Sequence, residues 1–178
     1  MTIATQKQEA QWVLRAQCAD REALERLLES VLPSIRRYAR GIAGPTQGDD
    51  VLQEALIVVA RKLRWLERPE LFRPWVFRIA GRIAFRHVKR ERRWQGDDST
   101  LADLPAPDVR PSNDLLQELL AMDIISPASR AVFVLHFQEE LPLLEVAAIL
   151  EVPLGTVKSR LAYGLAAARK HFGKNRSL

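Results

Sequence analysis

Apolar residues recur at three- and four-residue intervals along nearly the whole chain, and no stretch alternates apolar and polar positions long enough to make a half-buried strand. The expected fold class is therefore all-α. The spacing predicts a first helix over residues 8–18, with Trp12, Val13 and Ala16 on one side. Asp20 is placed to N-cap the next helix, whose inward positions are Ala23, Leu24, Leu27, Leu28, Val31, Ile35 and Tyr38. Pro33 is expected to bend that helix and residues 41–48 to end it. Asp49 or Asp50 then caps a helix to residue 63, burying Val51, Leu52, Ala55, Leu56, Val58 and Val59. Pro69 and Pro74 bracket a short link, and a long basic helix follows over 74–94, with proline acceptable in its first turn.

The pattern stops at residue 96. The stretch GDDSTLADLPAPDVRPSN over 96–113 has three prolines, several acids and few large apolar residues, a composition that does not pack. Beyond it, helices are predicted over 114–122, 126–138, 143–150 and 154–172. The chain thus reads as two small helical domains, 1–95 and 114–178, joined by a flexible acidic linker over 96–113.

Composition supports a folded chain: of 178 residues, 47% are apolar and 28% charged, too greasy for a disordered polymer. The longest apolar run is the six residues from Ala55 to Ala60, against the roughly 20 that cross a bilayer, and no basic-then-apolar leader pattern opens the chain. A cytoplasmic protein without membrane insertion is expected. Cys18 is the single cysteine, which leaves no internal disulfide and no Cys-rich zinc module. The net charge of +5 is unevenly spread: +8 over 1–96, −6 over 97–124 and +3 over 125–178. Cationic blocks gain free energy from counterion release on a polyanion, so nucleic acid is favoured as a partner of both ends and disfavoured for the middle. A solvated surface with unremarkable charge scatter is the competing explanation.

Within 143–162, LLEVAAILEVPLGTVKSRLA has the form of a helix-turn-helix. Val146, Ala147, Ile149 and Leu150 make one apolar face, a turn follows at Glu151, Val152 and Pro153, and Val157 and Leu161 resume the face. At 100° per residue, Val157, Leu161, Gly164 and Ala168 cluster inward while Thr156, Ser159, Arg160 and Tyr163 point away together. Such side chains suit a helix in the major groove, where arginine can bond guanine twice. Lys158 and Arg169 flank that face as phosphate contacts. A plain helical hairpin with a wet outer surface has the same spacing.

In the basic helix, Arg78, Arg82, Arg86 and Arg90 recur every fourth residue, with Lys89 and Arg93 adjoining. Like charges so spaced disfavour an isolated helix, so an anionic partner is expected. Trp65, Phe72, Trp75 and Trp94 lie among or near these cations, and flat rings interleaved with cations hold unpaired bases, each stack contributing about 1–3 kcal/mol. Burial in the core is the other use of such rings, and for Phe72 and Phe77 it is the commoner one. Asp49, Asp50 and Glu54 could hold a divalent ion, but N-capping and surface charge account for them better. His87, His136 and His171 lack metal-ligand spacing, and no nucleophile motif, P-loop or GxGxxG loop is present. No enzyme, metal site or cofactor is expected.

With these residues assembled, the chain resembles the extracytoplasmic-function group of bacterial RNA polymerase sigma factors over about 15–172. DDVLQEALIVVARKL (49–63) is similar to that family's region 2 core-binding helix, FRPWVFRIAGRIAFRHVKRERR (72–93) to its melting and minus-10 segment, and LLEVAAILEVPLGTVKSRLAYGLAAARK (143–170) to its region 4 minus-35 reader. The resemblance implies a non-catalytic specificity subunit of core RNA polymerase. Region 2 would dock on the largest subunit through Asp50, Gln53 and Glu54, and region 4 on the second-largest. Trp65, Phe72, Arg73, Trp75, Arg78, Arg82, Arg86, Lys89 and Arg90 would serve the minus-10 element and its melted strand. Thr156, Lys158, Ser159, Arg160 and Tyr163 would read the double-stranded minus-35 element, and an anti-sigma factor is a further partner common in the family. The chain departs from the family pattern at Arg82 and Arg86, where Asn and Asp are usual, at Ala60, where an aromatic is frequent, and at Glu151, where glycine is. These departures bear on minus-10 sequence preference more than on docking. A stand-alone helix-turn-helix regulator and a metal-dependent nucleic-acid enzyme are the alternatives.

Overall fold

The computed structural model describes residues 3–95, 116, 118–120 and 124–175, with side chains described from 6 to 90 and from 124 to 172 in the two long stretches. Among the described residues there is helix and no strand. The chain separates into two compact units, Met1–His87 and Val88–Leu178. The tether expected over 96–113 lies outside the described residues, as do the side chains of Arg93 and Trp94.

The first unit is built from three helices. α1 (Ile3–Gln17) begins earlier than the apolar spacing suggested, because its opening residues carry no periodic apolar signal. Asp20 caps α2 (Arg21–Lys62) as expected, accepting the Ala23 N–H at 3.0 Å. That hydrogen bond, with Arg15 beside it, holds the Asp20 carboxyl below the usual aspartate range.

Two expectations for α2 need correction. The interruption expected over 41–48 is one residue, Gly44, at φ 78° and ψ 173°. That region is open essentially to glycine alone, and Pro45 then restarts the helix with a nitrogen that needs no partner. Asp49 and Asp50 consequently lie inside a helical turn and do not cap it. Asp49 instead pairs with Arg40 from before the break, Nε to Oδ1 3.0 Å and Nη2 to Oδ2 2.8 Å. Gly48 permits this fold-back, since a Cβ there would fall 2.6 Å from the Arg40 Cα.

Beyond α2 the chain makes two 3-10 turns, Leu63–Trp65 and Pro69–Leu71, and enters α3 (Phe72–Gln95). The core of the unit comprises Val13, Leu27, Ile35, Tyr38, Val51, Val59, Phe72, Val76 and Ala80, all buried. Each large aliphatic side chain so buried contributes about 1.5–3 kcal/mol. Tyr38 meets Phe77 edge to face at 5.4 Å.

In the second unit, Leu116 and Leu119 are buried helical residues. Ser126 caps α4 (Pro127–Phe133), accepting the Ser129 N–H at 3.1 Å. The helix predicted to run on to Gln138 continues as a wider turn, Val134–Gln138, closed by a Glu139 N–H to Val134 carbonyl bond of 3.0 Å. α5 (Leu143–Leu150) and α6 (Leu154–Asn175) follow. Phe133, Leu135, Val146, Ile149, Val157, Leu161 and Leu165 are buried.

Candidate nucleic-acid and polymerase interfaces

At the end of α2 the chain must turn sharply toward α3. Leu63 and Leu66 do this by burying their side chains, which leaves Trp65 between them with 59% of its surface exposed. Arg64 lies over the indole, its Cζ 4.0 Å from the ring centroid. Lys62, Trp65 and Trp75 line an open groove of about 390 Å³. Trp75 is half-buried, and Phe72 stands behind it at 6.3 Å with the rings tilted by 39°. Two indoles and a lysine thus line a space large enough for a planar heterocycle, and an arginine lies over one of the indoles. Of the four, Lys62 and Arg64 were missed by sequence reading. Lys62 lies at the end of the core-binding motif and Arg64 just past it, and only the turn at Leu63 brings Lys62 beside Trp75.

Two expected contact residues here have other partners. Phe72 is 1% exposed and fully packed, so it supports Trp75 and offers no face to a base. Arg73 bonds Glu9, with Nη2 to Oε1 at 2.6 Å and the Glu9 side chain 3% exposed. The same guanidinium donates to the Ser30 carbonyl at 3.1 Å, and Ser30 Oγ donates to Glu9 at 3.0 Å. This cluster ties α1, α2 and α3 together. Its acidic member sits on α1, 64 residues away in sequence, where no local spacing announces it.

Along α3, Arg82, Arg86, Lys89 and Arg90 are exposed and Arg78 is half-buried; Arg78 and Arg82 make interactions within the chain. Arg86 donates to Glu54 Oε1, and Glu54 Oε2 lies 3.0 Å from His87 Nε2. The anionic partner expected for the basic helix is thus met in part from α2. Asp50 and Gln53 are exposed, and Ile57, 52% exposed, continues their face at the next turn. Ile57 was also passed over, hidden in the apolar run from Ala55 to Ala60. Asp49 is held ionised by the Arg40 hydrogen bonds, its carboxyl below the usual range. Among the described residues no three acidic, histidine or cysteine side chains converge as metal ligands.

In the second unit, α5 ends at Glu151, whose φ of 56° and ψ of 41° make the left-handed turn despite its side chain. The Val152 N–H closes the turn on the Ala147 carbonyl at 3.2 Å. Val157, Leu161, Gly164 and Ala168 face inward as predicted. Lys158 is exposed, and Thr156, Ser159, Arg160 and Tyr163 are partly exposed along the outer surface of α6. Ser159 Oγ donates to the Gly155 carbonyl at 2.9 Å. Arg169 is exposed further along.

The order of these two units has a counterpart in known proteins. Residues 27–94 match the family described as Sigma-70 region 2, and residues 121–170 match Sigma-70, region 4. The chain belongs to the sigma-70 family of RNA polymerase sigma factors, in its extracytoplasmic-function group. Among curated relatives, the sigma factor is 28% identical over 142 residues to the ECF RNA polymerase sigma factor SigW of Bacillus subtilis, covering 70% of this chain and 74% of that protein. It is 28% identical over 178 residues to the RNA polymerase sigma-H factor of Pseudomonas aeruginosa, covering 89% and 91%. The fold is shared with CnrH in its complex with the cytosolic domain of CnrY, at TM-score 0.69 and 19% identity over 94% of this chain and 99% of that one. RpoE of Bartonella quintana, bound to the anti-sigma factor NepR, gives 0.65 and 19% over 84% and 96%. A sigma factor is a transcription initiation factor and not an enzyme. A stand-alone helix-turn-helix regulator would account for residues 121–170 and leave the region 2 match without a role.

Proposed function

We propose that this sigma factor brings core RNA polymerase to promoters by gripping DNA at two places, paired DNA on α6 and an opened strand in the Trp65–Trp75 groove. The observation that carries the reading is the groove itself: an exposed indole under a guanidinium, lining an open space together with a second indole and Lys62. A flipped base costs a few kcal/mol to unstack. Stacking on an indole returns about 1–3 kcal/mol, and the surrounding cations hold the backbone phosphates. Because Arg64 already covers one face of Trp65, a base takes the other face or displaces the guanidinium. Arg78, Arg82, Lys89 and Arg90 extend the positive path along α3, and Arg86 joins it from its bond with Glu54.

On α6, Arg160 and Thr156 are the base readers of the minus-35 element, with Ser159 and Tyr163 beside them and Lys158 on phosphate. Docking on the largest polymerase subunit uses the exposed Asp50–Gln53 face, with Ile57 as its apolar contact; Glu54 takes part from its position against α3. Region 4 meets the second-largest subunit. No helix among the described residues is long and apolar enough to cross a membrane, in keeping with work at the polymerase in the cytoplasm. Since RpoE is bound by an anti-sigma factor, an inhibitory partner of that kind is a reasonable ligand for this chain as well.

The test is transcription from a genomic DNA pool by core polymerase reconstituted with the full chain, with start sites sequenced. Starts that share an upstream and a minus-10 element and vanish without the chain support the reading. Starts unaffected by the chain, or absent with it, reject it.

A further inference from the structure

The Trp65 turn is anchored by a side chain from a different helix. Gln17, the last residue of α1, donates from Nε2 to the Leu63 carbonyl at 2.9 Å and to the Leu66 carbonyl at 2.9 Å. Its two amide hydrogens thus span the three-residue step that carries Trp65. The Leu63 carbonyl also accepts the Leu66 N–H at 3.0 Å, so its two lone pairs are both engaged.

The anchor point is itself fixed. α1 ends in a tight turn in which the Asp20 N–H bonds the Arg15 carbonyl at 3.1 Å, with Ala19 in the left-handed region at φ 66°. Arg15 then pairs with Asp20 at 2.7 Å, and Asp20 caps α2. At the other end of the link, Gln6 Nε2 donates to the Glu70 carbonyl at 3.1 Å. Helix α1 therefore braces both 3-10 turns, and the brace nearest the indole is Gln17. The exposed indole has little packing of its own, so its position follows the backbone between Leu63 and Leu66.

We propose that Gln17 is a positioning residue for strand opening: it fixes the Leu63–Leu66 turn so that Trp65 meets the opened base, and it touches no DNA. This rests on the reading of the groove as the base-holding site. A group that pre-organises a stacking surface changes the opening step and leaves polymerase docking alone, because Asp50, Gln53 and Ile57 lie on another part of α2.

The test is a double-mutant cycle with the full chain bound to core polymerase, on a promoter recovered by start-site sequencing. Wild type, Gln17→Glu, Trp65→Ala and the double variant are compared for the rate at which promoter thymines become permanganate-reactive, and for affinity to core enzyme. Gln17→Glu keeps the shape, removes both donors and sets a carboxylate against two carbonyls. It is expected to slow opening, by no more than Trp65→Ala does; loss of one stacked base corresponds to roughly five- to hundredfold. In the Trp65→Ala background it should add nothing, since it acts only through the indole, and affinity for core enzyme should be unchanged. Equal slowing in both backgrounds overturns the proposal, as does no slowing at all. If Trp65→Ala leaves opening intact, the base-holding reading itself is wrong, and that outcome is distinct from the other two. Should Gln17→Glu unfold at the assay temperature, Gln17→Met removes the donors without adding charge and decides the same comparison.

Discussion

Arg73 closes over Glu9 with Nη2 2.6 Å from Oε1 while only 3% of the Glu9 side chain and 16% of the Arg73 side chain meet solvent. An ion pair that deep cannot lose one partner cheaply, because the other is left as a buried charge. Glu9→Ala should destabilise the chain by about 3–5 kcal/mol. The joint replacement of Glu9 and Arg73 by methionine should cost far less. Thermal and urea unfolding of the wild type and the two variants measures this; a Glu9→Ala loss below about 1 kcal/mol, the size of a surface pair, would contradict it.

Three backbone positions should respond to substitution in opposite senses. Gly44→Ala should cost about 1–3 kcal/mol through strain, since a Cβ there meets nothing within 4 Å. Glu151→Gly should stabilise by about 1 kcal/mol by relaxing the left-handed turn. Gly155→Ala, also in open space and at a helical position, should stabilise by about 0.5–1 kcal/mol. Urea midpoints for the three single variants are the check, and the predicted order is 155 and 151 above wild type, 44 below.

Asp20 adds a pH dependence of known sign. Its carboxyl is held below the ordinary aspartate value by the Ala23 N–H and by Arg15, so its contribution is complete above about pH 3.9 and fades as pH falls through the lower folded-state value. Asp20→Asn should therefore show its largest stability deficit at neutral pH and a shrinking one below about pH 3.9. Unfolding midpoints across pH 2 to 7 test it; a deficit that grows in acid would be the wrong sign.

Arg160→Ala separates two modes of contact on α6. If the guanidinium reads a base, the loss is about 1–3 kcal/mol on promoters that carry that base and small on those that lack it. A uniform loss across promoter variants means phosphate contact alone. Competitive binding of holoenzyme to a set of upstream-element variants distinguishes the two.

Helices and their inward faces were legible because their signal is periodic and local. Val157, Leu161, Gly164 and Ala168 face inward, and Asp20 caps α2, as spacing required. The misreadings share a cause, which is contact between segments distant in sequence. Arg73 looked like a DNA contact because its buried partner lies on α1, and Phe72 like a stacking ring because its burial depends on how α3 meets the other helices. Asp49 looked like a cap because Gly44, and not the whole 41–48 stretch, breaks the helix. The groove was half visible: Trp65 and Trp75 could be named, whereas Lys62, Arg64 and the Gln17 brace required the turn at Leu63.

The most direct test of two separate grips, one on paired and one on opened DNA, is a combined footprint of holoenzyme on a recovered promoter. Nuclease protection and permanganate reactivity would be read together for wild type, for Trp65→Ala with Trp75→Ala, and for Arg160→Ala. The account predicts that the tryptophan variant keeps upstream protection and loses thymine reactivity, and that Arg160→Ala loses upstream protection first. Loss of both signals together in both variants, with the chain still bound to core enzyme, would contradict it.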